Sequence, residues 1–167
     1  MTKLQTILFA TDFSKSSECA FGLACSLARD YGARLAIVHV ATPPPVVLPD
    51  EVVVSFHKGT YVNDLKKRLY ALRPPDTSIR IDYYFEQGDP ATEILRVARV
   101  AGADWIVMGT HGSTGLFRLL MGSVAEEVLR GAPCPVLAVR MPSAKSESRS
   151  ADSDQKKGKS ASQPAPS

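Results

Sequence analysis

GTHGSTGLFRLLMGS, residues 109–123, follows the apolar run Trp105-Ile106-Val107-Met108 and precedes VAEEVLR, which has the pattern of a helix. Glycines stand at 109, 112, 115 and 122, and a hydroxyl, Ser123, follows the last of them. Glycine loses more backbone freedom on ordering than any other residue, so four in one connection between a strand and a helix place the emphasis on backbone geometry. The spacing predicts a backbone that something must approach closely.

Strand and helix signals alternate on the N-terminal side of this stretch. Leu4 to Ala10 is a short apolar run ending in Thr-Asp. Ser14 is placed to cap a helix in which Ala20, Ala24, Leu27, Ala28 and Tyr31 share one face, and Gly32 stops it. Arg34 to Val40 reads as a second strand, followed by an extended loop at Pro43-Pro44-Pro45. A second helix carries Tyr61, Leu65, Leu69 and Leu72 on one stripe and ends at Pro74-Pro75. Ser78 to Phe85 alternates as a third strand. Asp89-Pro90 supplies an N-cap and a first-turn proline for a third helix with Ile94, Leu95, Ala98 and Ala101 inward. Asp104 to Met108 is a fourth strand. Ser123 and Glu126 stand at capping-box spacing for the last helix, and Cys134 to Arg140 is a fifth strand.

Such alternation predicts an α/β domain with a mostly parallel sheet covered by helices on both faces, because parallel crossovers need a covering helix. Ligands bind such sheets beyond the carboxyl ends of the strands, where strand order reverses. Two loops are placed to meet there: Thr11-Asp12-Phe13 after strand one, and Gly109 onward after strand four. Backbone N–H groups at a helix N-terminus suit phosphate, since unpaired donors and the helix dipole both favour negative charge. Gly109 and Gly112 would let the backbone curl, Gly122-Ser123 would bring amides and a hydroxyl to the helix start, and Arg118 is the one cation in the arch between. Residues 109–123 contain neither the GKS or GKT of a Walker loop nor GxGxxG. The bland alternative is that the glycines only turn the chain and Ser123 only caps the helix.

The totals fit one soluble domain. The chain has 167 residues, 44% hydrophobic and 22% charged, enough to bury roughly two thirds of its unfolded surface. No run approaches the roughly 20 apolar residues of a membrane span, and MTKLQTILFATD carries no cleavage-site pattern, so a cytoplasmic protein is expected. Cys19, Cys25 and Cys134 lack metal-ligand spacing and read as buried thiols. Of the net charge of +3, residues 143–167 supply +2, from five Lys/Arg against three Asp/Glu. That leaves the rest nearly neutral, without the basic stripe expected of a nucleic-acid binder. The same 25 residues hold eight serines and no Val, Ile, Leu, Met or aromatic residue, and are expected to form a disordered tail beyond a domain at 1–142.

Gly109-Thr-His-Gly112, nine residues, then Gly122-Ser123 resembles the G-x2-G-x9-G-S/T signature of the ATP-binding branch of the universal stress protein family. The resemblance extends over about residues 3 to 140 through ILFATDFS, the HV end of strand two, EQGDPATEIL, DWIVMGTHG and GSVAEEVLRGAPCPVLAVR. It implies an open five-stranded parallel sheet in the order 3-2-1-4-5, a homodimer, and one ATP per subunit. Carried over by position, Ala10, Thr11 and Asp12 would line the adenosine side and Val40 would meet adenine through its backbone. Met108 and Gly109 would continue the pocket, His111 and Gly112 would approach the phosphates, and Gly122, Ser123 and Val124 would bind them with Mg²⁺ alongside. The triple proline and the serine-rich tail depart from the family pattern. An apolar last strand at a sheet edge, Pro135 to Arg140, is the expected dimer contact.

Three functions stay open at this point: a stress-response switch governed by ATP occupancy, a slow ATP-hydrolysing enzyme, and a dimeric scaffold that never meets nucleotide. Hydrolysis needs a positioned water, a base and charge stabilisation. Candidate bases are Asp12, which has a competing role beside adenosine, and His111 in the loop. His39 reads as a packed or capped residue and His57 as a surface helix position. The loop has no lysine, which favours holding phosphate over fast chemistry.

Overall fold

Alternating apolar side chains on short strands require cover on both faces, and the connections of this chain supply it. The computed structural model describes residues 4–42, 58–110 and 121–141. In chain order the elements are β1 (Thr6–Ala10), α1 (Lys15–Tyr31), β2 (Arg34–Ala41), α2 (Lys58–Ala71), β3 (Ile81–Gln87), α3 (Pro90–Val100), β4 (Trp105–Gly109), α4 (Ser123–Gly131) and β5 (Val136–Val139). The five strands form one sheet in the order β3-β2-β1-β4-β5, with all four pairings parallel. The fold is the open α/β sheet expected from the sequence.

Period-two alternation sorts the side chains between two cores. Ile7, Phe9, Leu35 and Ile37 pack with Ala20, Ala24, Ala28 and Leu69, so α1 and α2 cover one face. Leu8, Ala10, Ala36 and Val38 pack with Ile94, Val97, Ala98, Ala125 and Val128, so α3 and α4 cover the other. Ile7, Leu8 and Phe9 are wholly buried, and each such side chain contributes about 1.5–3 kcal/mol relative to exposure. Among the described residues no helix is long and apolar enough to cross a membrane.

The helix boundaries follow local chemistry. Ser14 is the N-cap of α1 and its hydroxyl accepts from Ser17 N–H. Gly32 ends that helix at φ +62°, where its N–H donates to Arg29 O and a side chain would be strained. Asp89 caps α3, accepting from Thr92 N–H at 2.9 Å ahead of Pro90, and these bonds hold its carboxyl below the usual range.

Several boundaries differ from the sequence reading, each for an identifiable reason. β3 begins at Ile81 because Asp76 turns the chain, its carboxylate accepting Ser78 N–H at 2.9 Å. β4 begins at Trp105 because the Asp104 carboxylate is occupied by the N–H groups of Gln5 and Thr6. β5 is confined to Val136–Val139, though its pairing is prepared by Ile106 N–H donating to Pro135 O. The cap of α4 is Gly122, with Ser123 already inside the helix, so Ser123 and Glu126 form no capping box; Glu126 pairs with Arg130 instead. Tyr31 is 53% exposed because the end of α1 reaches the N-terminal rim of the sheet, where its ring lies 6.4 Å from that of Trp105. Tyr61 is likewise exposed, while Leu65 and Leu69 are buried. Cys19 stands on the exposed face of α1. Only Cys25 is fully buried, which pushes its thiol up to about 11.

Gly109 serves a different purpose from the expected curl. Its φ is not positive. A Cβ there would lie 2.6 Å from Ser16 Oγ and 3.0 Å from the Ser16 carbonyl carbon and Cβ. The last residue of β4 therefore touches the first turn of α1 more closely than any side chain permits. Gly109→Ala is expected to lower folding stability by about 1–3 kcal/mol through overpacking, despite the gain alanine normally brings through the unfolded chain. The midpoint of urea unfolding at unchanged slope measures this, and an unshifted or raised midpoint would contradict it.

Candidate functional site

The sequence Thr11-Asp12-Phe13-Ser14 ends β1 with two side-chain turns. Thr11 Oγ1 accepts Phe13 N–H at 3.0 Å and Asp12 Oδ1 accepts Ser14 N–H at 3.0 Å, each bond reaching two residues ahead. Ser17 Oγ lies 3.0 Å from Ser14 O and 3.1 Å from Thr11 Oγ1. A carbonyl only accepts, so the Ser17 proton goes to Ser14 O and the Thr11 hydroxyl donates to Ser17. Thr11 N–H donates to Val38 O at 3.0 Å, and Thr11 O faces His39 Nδ1 at 2.8 Å. Every polar atom of this buried residue is thus committed. Asp12, next to it, is exposed.

Phe13 follows at φ +60°, a left-handed conformation that bulky residues rarely adopt. Its ring centroid lies 4.3 Å from that of His39, and the Arg68 guanidinium stands over it at 4.3 Å. His39 is 7% exposed, with the Phe85 ring centroid 6.0 Å from its own. Burial pulls the His39 imidazolium below its ordinary pKa; the bond to Thr11 O opposes this, Arg68 adds to it and Asp12 opposes it.

At the neighbouring strand, Gly109 pairs in register with Val139, and Thr110 N–H donates to Val139 O at 2.9 Å. Gly122 N–H donates to Thr110 O at 2.8 Å. This bond fixes the start of α4 directly beyond β4. Gly122 has extended backbone and no side chain, and α4 receives no side-chain cap. The first N–H groups of a helix have no partner within it; Ser14 and Asp89 accept from such groups in α1 and α3, whereas among the described residues no side chain caps α4.

The structure gathers most of the residues singled out from the sequence. Ala10 and Met108 are register partners, both buried. Half-buried Val40 and Val124 pack on the same cluster as those two. Gly109 and Gly122 flank Thr110, while Thr11 and Asp12 lead from β1 and Ser123 stands exposed on the first turn of α4. The strand order reverses between β1 and β4, so these residues converge at the switch point. His111, Gly112 and Arg118 lie outside the described residues, as do Pro43-Pro44-Pro45, His57 and the tail. Among the described residues no three His, Cys, Asp or Glu side chains gather as a metal site.

Sequence reasoning missed Thr110, whose carbonyl anchors Gly122, and Ser16, which receives Gly109. It also missed the bond from His39 to the loop. The T-D-F-S order carried a signal for the two turns after β1, since Thr and Asp both accept from N–H groups two residues on. The approach of Ser16 to Gly109 joins residues 93 positions apart in the chain and had no local signature.

Comparisons with known proteins show the family and the fold. Universal stress protein MJ0531 of Methanocaldococcus jannaschii is 37% identical over 141 residues, covering 81% of this chain and 82% of the relative. The solved structure of MJ0577, from the same organism, matches with a TM-score of 0.73 and 26% identity over 86% of this chain and all of the other. A universal stress protein solved in complex with cAMP matches with a TM-score of 0.56 and 26% identity, over 83% of this chain and 98% of the other. Residues 3–140 match the Universal stress protein family as a whole, and the chain belongs to that family.

Proposed function

We propose that this universal stress protein binds ATP at the β1/β4 switch point and acts as a nucleotide-dependent switch or sensor in a stress response. The observation that carries this reading is the start of α4. It lies beyond β4, tied by Gly122 N–H to Thr110 O, without a side-chain cap and opened by a residue with no Cβ. Unpaired amides and a positive helix end in that position suit a phosphate group. The cAMP complex of a relative supports a nucleotide as the ligand class.

In this reading Gly122, Ser123 and Val124 hold the phosphates, and Gly112 and His111 approach them. Ala10, Thr11, Asp12, Met108 and Gly109 line the adenosine side, with the backbone of Val40 toward the base. Mg²⁺ accompanies the phosphates and offsets their charge. Two copies pair through β5, whose residues stay half-buried in the single chain at the sheet edge. A cytoplasmic location fits a chain that reads as a soluble nucleotide binder.

Gly122→Val places a branched side chain where phosphate is held, outside both cores. The variant is expected to melt like the parent and to lose at least about tenfold in ATP affinity, the equivalent of about 1.4 kcal/mol. Calorimetric titration with ATP and Mg²⁺ checks it; a folded variant with parental affinity would show that phosphate is not bound here.

Holding substrate and transition state equally does not accelerate chemistry. Of the two candidate bases, Asp12 has Ser14 N–H on its carboxylate, and the loop contains no lysine. Hydrolysis is therefore expected at below about one turnover per minute, against the 1–10³ per second common among enzymes. Single-turnover release of phosphate measures it, with Ser123→Ala and His111→Ala as controls for contaminating ATPases. Fast release abolished in either variant would make the protein an ATPase.

A further inference from the structure

The β1–α1 loop is held from beneath by a titratable group that the nucleotide reading does not use. His39 stands on the α1/α2 face of β2, two positions beyond Ile37, with its Nδ1 2.8 Å from Thr11 O. A carbonyl cannot donate, so Nδ1 carries the proton. In a neutral imidazole Nε2 is then a bare lone pair, and this atom is fully buried with no hydrogen-bond partner among the described residues. A proton added there would become a buried donor without an acceptor, on a charged ring close to the rings of Phe13 and Phe85.

The surrounding charges are of both signs, Arg68 disfavouring that proton and Asp12 favouring it. From α2, Arg68 stands over the Phe13 ring and Lys66 lies 5.2 Å from the Phe85 centroid. From α1, Glu18 lines the same cavity as Phe13 and Arg68. Asp12, in the loop, is an exposed carboxylate already receiving Ser14 N–H. β3 contributes Tyr83, two residues from Phe85 on the same face. β1 presents only Phe9 and Ile7 to this side. To find water for Nε2–H the charged ring must leave its place. Thr11 O then loses its donor, and Phe13 loses the surface that supports its left-handed backbone.

We propose that neutral His39 is the positioning residue of the nucleotide-binding loop, holding Thr11 and Phe13 in the closed geometry, so that nucleotide affinity at the switch point weakens in acid. The proposal rests on the nucleotide reading for its ligand and on His39 geometry for its mechanism. The open loop takes up a proton near the ordinary histidine value of about 6.5, whereas the closed loop resists it to lower pH. The closed form is therefore fully favoured above about pH 6.5 and loses ground as pH falls below it, by at most about tenfold per pH unit for one proton.

The test compares the full-length parent with His39→Asn, which keeps an N–H donor near the Nδ1 position and does not titrate. ATP affinity with Mg²⁺ is measured from about pH 7.5 to about pH 5, and the ratio of parent to variant is taken, so that ionisation of ATP, His57 and His111 cancels. The ratio is expected to fall below about pH 6.5, reaching at least about threefold by pH 5; a flat ratio overturns the proposal. Two readouts need no nucleotide. Imidazole ¹⁵N spectra of the parent at neutral pH should show the Nδ1–H tautomer for His39, and an Nε2–H tautomer overturns the proposal even if the variant does not fold. Amide exchange at Phe13 and Ser14 should accelerate in acid in the parent more than in His39→Asn, and equal acceleration likewise overturns it. If the parent takes up no ATP at any pH while tautomer and exchange behave as stated, the nucleotide reading fails and the positioning role of His39 stands.

Discussion

The reversal of strand order at β1 is the constraint on which the rest of the structure depends. Parallel strands must be joined by helical crossovers of one hand, and here β1 to β3 build outward in one direction before β4 returns to the other side of β1. The first two helices are thereby placed on one face and the last two on the other. At the reversal, the loops after β1 and β4 diverge to opposite faces and leave a crevice between them. Each local feature of the site is a consequence of that opening. The loop after β1 is tied down through Thr11, and β4 can end against α1 only because residue 109 has no side chain.

The two sides of the crevice are built with opposite economies of hydrogen bonding. On the β1 side the backbone and side-chain groups of Thr11 are all satisfied within the protein, which makes a rigid wall. On the α4 side the first turn lacks the side-chain cap that α1 and α3 possess. A rigid wall beside a set of uncommitted donors is an arrangement that gains most from an anionic ligand, because the protein has already fixed the geometry that the ligand requires. Phe13 adds strain to the wall, and its position between Arg68 and His39 links the loop to α2 and β2.

Much of this was legible in the sequence because it is written in local patterns. Short apolar runs marked the strands, with period-two alternation at the third; Ser14 and Asp89 marked two helix starts, and Gly32 marked a helix end. The glycine spacing from 109 to 123 pointed to the family. What was hidden depends on contacts between distant segments. Gly109 was expected to let the backbone curl and is instead a contact point, since only the fold brings Ser16 beneath it. Ser123 looked like a cap and is not one, because the cap position shifted by one residue to Gly122. His39 looked like a packed or capped residue, and only the structure shows its Nδ1 against Thr11 O. Asp76 and Asp104 set the starts of β3 and β4 through hydrogen bonds that alternation of apolar residues cannot register.

The central claim is that the crevice between β1 and β4 holds ATP. Mass spectrometry of small molecules released by denaturing gently purified full-length protein tests it most directly, because a ligand held by a rigid wall and a helix terminus should survive purification. The account predicts release of ATP in amounts comparable to the protein, either as purified or after incubation with ATP and Mg²⁺ and removal of the excess. Protein that releases no nucleotide under either condition would contradict it and leave a nucleotide-independent scaffold.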